Sequence, residues 1–234
     1  MSVDEPRSPR SPLELLEALG LEEVEIAPGL AHLEIYTMRG LLSVLWHGPR
    51  DARAVVLTCG GGMGGMLGPA DGIYHTLGRE LAELHGIATM RIGYRKPNDL
   101  SRCVHDVAAA ADLAGRSGAR GFVVIGHSFG GAVAIQAGSV LGEHCRGVVT
   151  LATQSAGCEH ASELGDIPLL LMHGTDDEIL PAETSGIVQM LAGHGEVVLL
   201  PGAGHLLTQA ATEVHERLAE WIPARFAREP SETP

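Results

Sequence analysis

The spacing of hydrophobic positions changes along the chain at about residue 54. Before it, two stretches alternate between apolar and polar side chains and a third is apolar, a pattern typical of strands. These stretches are residues 24–26, 31–38 and 41–46. We expect them to form an antiparallel edge of a larger sheet. A helix over residues 13–19 is predicted to precede them, because Ser11 and Glu14 have the spacing of a capping box and Gly20 would end the helix.

After residue 54, short apolar runs alternate with segments whose apolar side chains recur at helical spacing. The predicted strands cover residues 54–58, 87–92, 122–125, 147–152, 168–172 and 196–200. The predicted helices lie over about residues 73–84, 104–114 and 182–191, after Ser128, and at the end of the chain. Their buried faces are predicted at Ile73, Leu77, Leu81 and Leu84 in the first helix and at Val214, Leu218, Trp221 and Ile222 in the last. This alternation predicts an α/β fold, with a mostly parallel twisted sheet, helices on both faces and ligands at the carboxyl edge.

The length of 234 residues suits one domain with a sizeable core. We expect a disordered leader over residues 1–10, a single domain over residues 11–227 and a flexible tail over residues 228–234. The formal net charge of −13 argues against nucleic acid or an anionic membrane as a partner. No apolar run reaches the roughly 18 residues that a membrane-spanning helix needs, and residues 1–12 lack the apolar core of a secretory signal.

The four cysteines are dispersed along the chain and form neither a Cys-x-x-Cys motif nor a Cys/His ligand pattern. They are Cys59, Cys103, Cys145 and Cys158. This usage indicates free thiols in a reducing compartment, so we expect a cytoplasmic protein. We expect no metal and no cofactor.

The strongest chemical signal is the apolar run over residues 122–125, which leads into Gly126-His127-Ser128-Phe129-Gly130. Small residues follow at helical spacing, so the chain is predicted to turn sharply from strand to helix with Ser128 at the tip. Glycine is needed on both sides of the serine because the tight turn brings backbone segments too close for a Cβ atom. The turn is predicted to present the Ser128 hydroxyl at the carboxyl edge of the sheet.

Two later strand ends supply the base and the acid that a nucleophilic serine needs. One predicted strand leads into His173-Gly174-Thr175-Asp176-Asp177, and the last one leads into Gly202-Ala203-Gly204-His205. The order Ser, Asp, His, with each residue just after a strand, is the order found in α/β-hydrolases. Loops at one edge of a sheet can converge, so Ser128, Asp177 and His205 are the candidate catalytic residues.

Together these motifs resemble those of serine hydrolases with the α/β-hydrolase fold, over about residues 40–225. The pattern His173-Gly174-x-x-Asp177 matches the family's acid loop and implies that Asp177 is the acid. The resemblance implies Ser128 as nucleophile and His205 as base in an enzyme that forms an acyl-enzyme. The segment between residues 153 and 167 is too short for a helical cap domain. Small dienelactone-hydrolase-like and carboxylesterase-like members are therefore the nearest match, and they suggest small esters as substrates.

The resemblance also implies an oxyanion hole made of two backbone N–H groups. One belongs to Phe129, and the other comes from the loop after the strand over residues 54–58, where relatives usually have His-Gly-x. This chain has Cys59-Gly60-Gly61, so Gly61 is the expected donor and Cys59 departs from the pattern. The glycine run continues to Gly65, which leaves other amides of the loop open as donors.

Four side chains beside the proposed triad have competing interpretations. Asp176 and Glu178 are alternatives to Asp177 as the acid. His127 and His173 are interpreted as packing residues, because they occupy the variable position of the serine motif and the first position of the acid loop.

Four further side chains are candidates for contact with a substrate. Arg95 and Lys96 could bind an anionic group, although a solvated loop is the favoured interpretation. Cys158 and His160 lie where a substrate could pass, but their spacing does not indicate a metal site.

The glycine loop also matches Gly60-x-Gly62-x-x-Gly65, a dinucleotide-binding pattern when it lies between a strand and a helix. Such a site needs an acid near the end of the next strand, where this chain has Ile92-Gly93-Tyr94-Arg95. An NADP-binding oxidoreductase is therefore an alternative function, and a non-catalytic binding protein on the hydrolase fold is another. The favoured hypothesis is a serine hydrolase that cleaves a carboxylic ester or a related acyl compound. The sequence does not indicate an oligomeric state.

Overall fold

The computed structural model describes residues 10–227, in which nine strands form one sheet. The strands are β1 (Ala18–Ala27), β2 (Leu30–Thr37), β3 (Gly40–His47), β4 (Ala54–Cys59), β5 (Ala88–Gly93), β6 (Gly121–His127), β7 (Cys145–Leu151), β8 (Leu169–Gly174) and β9 (Glu196–Leu200). The helices are α1 (Pro12–Leu15), α2 (Pro69–His85), α3 (Leu100–Ser117), α4 (Phe129–Leu141), α5 (Glu183–Ala192) and α6 (Ala211–Phe226). The leader expected over residues 1–10 falls, except for Arg10, outside the described residues, as does the tail expected over residues 228–234.

The sheet is mostly parallel, as predicted, and its strands lie in the order β1-β2-β3-β5-β4-β6-β7-β8-β9. The first three strands pair antiparallel with one another, and β3 joins them antiparallel to β5. From β5 to β9 all neighbours are parallel. The predicted antiparallel N-terminal edge is therefore confirmed.

Helices cover both faces of the sheet, and the central strands are buried on both sides. Along β4, Val55 and Leu57 belong to the apolar core under α3 and α4, whereas Val56 belongs to the core under α2 and α6. Such burial explains why these strands are continuous apolar runs in the sequence. In α6, the four residues predicted for the buried face, Val214, Leu218, Trp221 and Ile222, are all buried.

The predicted helix over residues 13–19 is too long. The capping box forms, since the Ser11 hydroxyl accepts from the Glu14 N–H and the Glu14 carboxylate accepts from the Ser11 N–H. The helix nevertheless ends at Leu15, because Glu17 has a φ of 52° and the chain from Ala18 onward pairs with β2.

The predicted buried face of α2 is correct at Ile73, Leu77 and Leu81 but wrong at Leu84, whose side chain is 69% exposed. Leu84 lies in the last turn, one residue before the helix ends at His85, and the left-handed Gly86 caps the helix. Ile87 then folds back, donates its N–H to the Leu81 carbonyl and is buried in the core. Ile87 therefore makes the core contact that the helical spacing predicted for Leu84.

The loops that follow β4, β6, β8 and β9 lie at one edge of the sheet because these strands are parallel; we call it the carboxyl edge. Between β7 and β8 the chain forms one 3-10 turn, Ala161–Leu164, so this segment adds no helical cap over the edge. No helix within residues 10–227 is long and apolar enough to cross a membrane. All four cysteines are free and buried.

Candidate active site

Ser128 lies in the sharp turn between β6 and α4. Its φ of 57° and ψ of −120° form a backbone conformation that residues other than glycine rarely adopt. Two hydrogen bonds of 2.9 Å hold it there, from the Ser128 N–H to the Leu151 carbonyl and from the Gly131 N–H to the Ser128 carbonyl. A Cβ atom at Gly126 would lie 1.8 Å from the Gly130 carbonyl oxygen, which explains the glycine at that position.

Ser128 and His205 line the same open cavity of about 670 Å³ at the carboxyl edge. The loop over residues 60–68 forms one wall, and the loops after β8 and β9 contribute to the other. Within residues 10–227 no hydrogen bond joins the Ser128 hydroxyl to His205. Hydrogen bonds between catalytic groups are often long in unliganded sites and shorten when a substrate binds.

Asp177 orients the imidazole of His205. Its Oδ2 atom lies 2.8 Å from His205 Nδ1. An ionised carboxylate only accepts hydrogen bonds, so Nδ1 carries the proton and Nε2 keeps its lone pair. This is the tautomer in which His205 can act as a general base from Nε2.

The Asp177 carboxylate is fully buried and ionised. Its Oδ1 atom accepts the backbone N–H groups of Ile179 and Leu180, each at 2.8 Å. Burial raises the pKa of Asp177, but hydrogen bonds from the Leu180 N–H, from His205 and from the Ile179 N–H outweigh burial, and the pKa lies below its ordinary value of 3.8. The loop after β8 therefore keeps a negative charge beside His205 at neutral pH.

The two neighbouring acids have different surroundings. Asp176 is exposed and accepts a hydrogen bond from the Thr175 hydroxyl. Glu178 accepts the backbone N–H of His205 at 3.3 Å. Of the three acids in this loop, Asp177 is the one whose carboxylate is hydrogen-bonded to the His205 imidazole.

His173, which the sequence suggested as a packing residue, is fully buried and also supports Asp177. Its Nε2 atom lies 3.1 Å from both Asp177 Oδ2 and the Leu180 carbonyl oxygen, so this nitrogen carries the proton. Nδ1 accepts from the Ser185 hydroxyl at 2.7 Å. The ring therefore links the acid loop to α5.

His127 supports the loop that carries His205. Its Nε2–H donates to the His205 carbonyl at 3.0 Å, and the two rings are tilted with their centroids 4.9 Å apart. Burial lowers the pKa of His127 to about 4, so the ring is neutral at neutral pH. A residue interpreted as packing thus also fixes the backbone of the candidate base.

Phe129 and Gly61, the two expected oxyanion donors, both lie next to Ser128, Phe129 as the following residue and Gly61 in the glycine loop. A Cβ atom at Gly61 would lie 3.8 Å from Ser128 Cβ, so the glycine loop lies directly against the turn that carries Ser128. Gly61 accepts the N–H of Gly64 in a tight turn. In the part of the chain that the structure describes, the Phe129 N–H, at the first position of α4, donates to no backbone carbonyl. Gly61 pairs with Gly64 in a short antiparallel bridge, so the Gly61 N–H faces the Gly64 carbonyl within its own loop.

Two buried tyrosines hold the glycine loop in place, and the sequence did not single them out. The Tyr94 hydroxyl donates to the Gly60 carbonyl at 3.2 Å, and the Tyr74 hydroxyl donates to the Cys59 carbonyl at 3.0 Å. In a trans peptide the C=O and N–H groups point in opposite directions. The bond from Tyr94 therefore fixes the direction of the Gly61 N–H. The available signal was that Tyr94 directly follows β5 at the same edge of the sheet.

The geometry of the glycine loop does not favour a dinucleotide site. A Cβ atom at Gly60 would lie 2.3 Å from the Gly65 carbonyl oxygen, so this glycine is explained by the tight curl of the loop. The first residues of α2 are left-handed, with φ values of 49° at Ala70, 58° at Asp71 and 79° at Gly72. A phosphate-binding turn instead leads directly into a regular helical N-terminus.

The side chains proposed to meet a substrate outside the triad lie away from the cavity. Arg95 is buried in an ion pair with Asp106, which accepts from both its side chain and its backbone N–H, so its interpretation as a solvated loop residue is wrong. Lys96 is exposed and does not line the cavity. Cys158 is buried, and burial raises the pKa of its thiol to about 12. His160 lies near Glu163 on the surface.

The rim of the cavity is apolar, a feature that the sequence did not reveal. Large hydrophobic side chains that line it are exposed to solvent, although such residues are usually buried. They are Met63 (96% exposed), Leu67 (64%), Ile179 (63%) and Leu206 (60%). Exposed apolar side chains around a concave site are typical of a surface that contacts apolar ligands.

Comparison with known proteins gives the fold its name. No protein-family profile matches the chain, and no curated protein matches its sequence. Among solved structures, Est1E from Butyrivibrio proteoclasticus has a TM-score of 0.70 at 17% identity, covering 84% of this chain and 99% of that one. Dienelactone hydrolase from Anabaena variabilis has a TM-score of 0.68 at 18% identity, covering 86% and 96%. An α/β serine hydrolase homologue from Coxiella burnetii has a TM-score of 0.66 at 20% identity, covering 81% and 95%. The chain therefore has the α/β-hydrolase fold.

Proposed function

We propose that the protein is a serine hydrolase that cleaves a carboxylic ester or a related acyl bond. The observation that carries the proposal is the 2.8 Å contact between Asp177 and His205 Nδ1, because it leaves Nε2 unprotonated in a cavity that Ser128 also lines. Solved structures of the same fold that are described as a dienelactone hydrolase and a serine hydrolase homologue support it further.

In the proposed reaction, the Ser128 oxygen attacks the acyl carbon while His205 Nε2 takes the hydroxyl proton. The carbonyl electrons move to the acyl oxygen, which accepts hydrogen bonds from the Phe129 and Gly61 N–H groups. When the tetrahedral intermediate collapses, the alcohol leaves with the proton from His205, and an acyl-enzyme remains. A water molecule that loses a proton to His205 then attacks the acyl carbon, and the second tetrahedral intermediate collapses to the carboxylic acid as the Ser128 oxygen leaves and takes that proton back from His205. Asp177 stabilises the positive charge on His205 in both steps.

The cavity suggests the class of substrate. It is open, because the segment between β7 and β8 adds no helical cap, and its rim is apolar at Met63, Leu67 and Ile179. These features favour small esters with an apolar acyl or alcohol group that contacts the rim.

The proposal is tested by hydrolysis of short p-nitrophenyl esters. We expect saturable hydrolysis by the wild-type protein and a rate close to the uncatalysed one for Ser128→Ala, because the variant lacks the nucleophile. Ser139→Ala is the control, since Ser139 lies in α4 and its hydroxyl bonds the Ile135 carbonyl away from the cavity. Saturable binding of NADPH by calorimetry, with no ester hydrolysis, would support the oxidoreductase alternative and contradict the proposal.

A further inference from the structure

A second cavity, of about 560 Å³, lies at the opposite edge of the sheet from Ser128. It lies between α2 and the turn that joins β1 to β2. His47, on its wall, pairs with Thr89 near the start of β5, whereas Ser128 follows the end of β6. The cavity is therefore separate from the candidate active site.

The polar wall of this cavity is basic. His47, His75 and Arg79 line it, and the His47 and His75 rings meet edge to face with centroids 5.3 Å apart. Arg79 is exposed and makes no ion pair with any carboxylate in the part of the chain that the structure describes. Glu83, one helical turn further along α2, also lines the cavity but does not pair with Arg79. We call this group the basic cavity.

An unpaired cation lies behind the basic cavity. Arg91, on the face of β5 that α2 covers, is 3% exposed and has no carboxylate partner among residues 10–227. One of its terminal nitrogens donates to the Met66 carbonyl at 3.3 Å, but its Nε has no partner there. The neighbouring Thr89 hydroxyl and His47 Nε2 are likewise buried without hydrogen-bond partners. Buried charges and polar groups of this kind are costly unless something compensates them.

The excess of positive charge is local, since the whole chain has a formal net charge of −13. Burial lowers the pKa of His47 to about 4, and the positive neighbours Arg91, His75 and Arg79 lower it further. His47 is therefore neutral at neutral pH. Arg79 and Arg91 carry two positive charges against one carboxylate on the cavity wall, that of Glu83, so a net positive charge remains.

We propose that the basic cavity binds a small organic anion, a carboxylate or phosphate monoester on an apolar body. The anionic group lies against Arg79 and His75, where guanidinium and imidazole N–H groups donate to its oxygens. The field of Arg91 behind them adds attraction. The apolar body contacts Ala27, Pro28 and Leu30, which form the opposite wall. This site does not depend on the proposed hydrolase activity.

Calorimetric titration with phenyl phosphate tests the proposal, because this probe combines an anionic group with an apolar ring. We expect saturable binding with one site per chain, and a dissociation constant raised by about 10- to 100-fold in Arg79→Gln, as for loss of a hydrogen bond to a charged group. His75→Asn should weaken binding as well. Arg102→Gln, which removes the same charge from the surface of α3, is the matched control and should bind like the wild type.

Four outcomes overturn the proposal. They are the absence of saturable binding at millimolar phenyl phosphate, unchanged affinity in Arg79→Gln, equal affinity for the neutral analogue benzyl alcohol, and loss of binding in Ser128→Ala. The last result would place the probe in the cavity at the carboxyl edge. The expected retention of binding by Ser128→Ala also keeps this test independent of the hydrolase proposal.

Discussion

At the scale of single residues, hydrogen bonds around the Asp177 carboxylate determine the protonation state of His205. The carboxylate accepts two backbone N–H groups on one oxygen and two imidazole N–H groups, from His173 and His205, on the other. All of these donors favour the ionised form, and the Ser185 hydroxyl, which donates to His173 Nδ1, leaves the His173 proton on Nε2, where it faces the carboxylate. A buried charge that is satisfied in this way can hold one imidazole tautomer.

Replacing Asp177 by asparagine tests this role. The amide group of Asp177→Asn can donate to His205 Nδ1 and so favour the wrong tautomer, and we expect kcat/KM for a p-nitrophenyl ester to fall by about 10³- to 10⁴-fold. Asp176→Asn is the matched control, because the Asp176 carboxylate is exposed and does not contact the imidazole. Similar losses in both variants, or none in Asp177→Asn, would contradict the assignment of the acid.

Tyr94 acts through the Gly60–Gly61 peptide, to which its hydroxyl donates. Removing this hydroxyl should therefore affect the rate of the chemical step more than substrate binding. In Tyr94→Phe the Gly60 carbonyl loses a donor and the Gly61 N–H loses its fixed direction, and we expect kcat to fall by about tenfold with KM unchanged. Tyr74→Phe removes the same kind of bond one peptide earlier. Each variant should lose about 1 kcal/mol of unfolding free energy. If kcat falls equally in both, Tyr94 has only a structural role.

At the scale of elements, the turn between β6 and α4 requires close backbone contact. Gly126 lies against the Gly130 carbonyl, and a Cβ atom at Gly130 would lie 2.4 Å from the Gly60 carbonyl oxygen. The strand end, the helix start and the glycine loop therefore fit together only without side chains at these positions. Ser128 keeps its left-handed conformation because these contacts, and the bond to Leu151, hold it on both sides.

A pair of glycine-to-alanine variants tests the tightness of this turn. Gly126→Ala would place its methyl carbon 1.8 Å from the Gly130 carbonyl oxygen, a severe steric clash. We therefore expect no soluble folded protein, or a large loss of unfolding free energy in urea. Gly186→Ala lies inside α5, where a Cβ atom meets nothing within 4 Å. It should stabilise the protein by about 0.5–1 kcal/mol. A normal urea midpoint for Gly126→Ala would contradict the turn geometry.

Strands that are short apolar runs were predictable from the sequence, and features that depend on tertiary contacts were not. The strand over residues 196–200 was predicted with its observed bounds, and the other strands after residue 54 to within two residues, because they are apolar runs between polar loops. The strand expected over residues 24–26 is instead the ten-residue β1, Ala18–Ala27, whose exposed side chains give no continuous apolar signal. The length of α1 depended on pairing between β1 and β2. The burial of Arg95 depended on Asp106, which lies on a different element.

In the candidate site too, positions along the strands were predictable and contacts between loops were not. Ser128, Asp177 and His205 could be placed at one edge from strand order alone, since each follows a parallel strand. The roles of His127, His173 and Tyr94 depend on which atoms meet across loops. No spacing in the sequence contains that information.

At the scale of the whole molecule, two buried histidines make stability depend on pH. Burial lowers the pKa values of His47 and His127 from 6.5 to about 4. As the pH falls below about 6.5, these histidines bind protons in the unfolded chain but stay neutral in the folded one. Proton binding therefore favours unfolding, and this destabilisation grows until the pH reaches about 4.

We therefore expect the urea midpoint to fall between about pH 7.5 and about pH 5.5. His47→Gln removes one of the two groups and should make this fall shallower, whereas His144→Gln, at an exposed position, should not. A midpoint that does not change over this range, or an equally steep fall in His47→Gln, would contradict the buried neutral state of His47.

The central claim is that Ser128 is an activated nucleophile, and covalent labelling tests it most directly. A fluorophosphonate reacts with a serine that a neighbouring base activates and leaves a stable phosphonyl ester. Intact-protein mass spectrometry should show one adduct on the native wild-type protein, peptide sequencing should locate it on Ser128, and Ser128→Ala should remain unlabelled. An unlabelled wild-type protein, or equal labelling of Ser128→Ala, would contradict the claim.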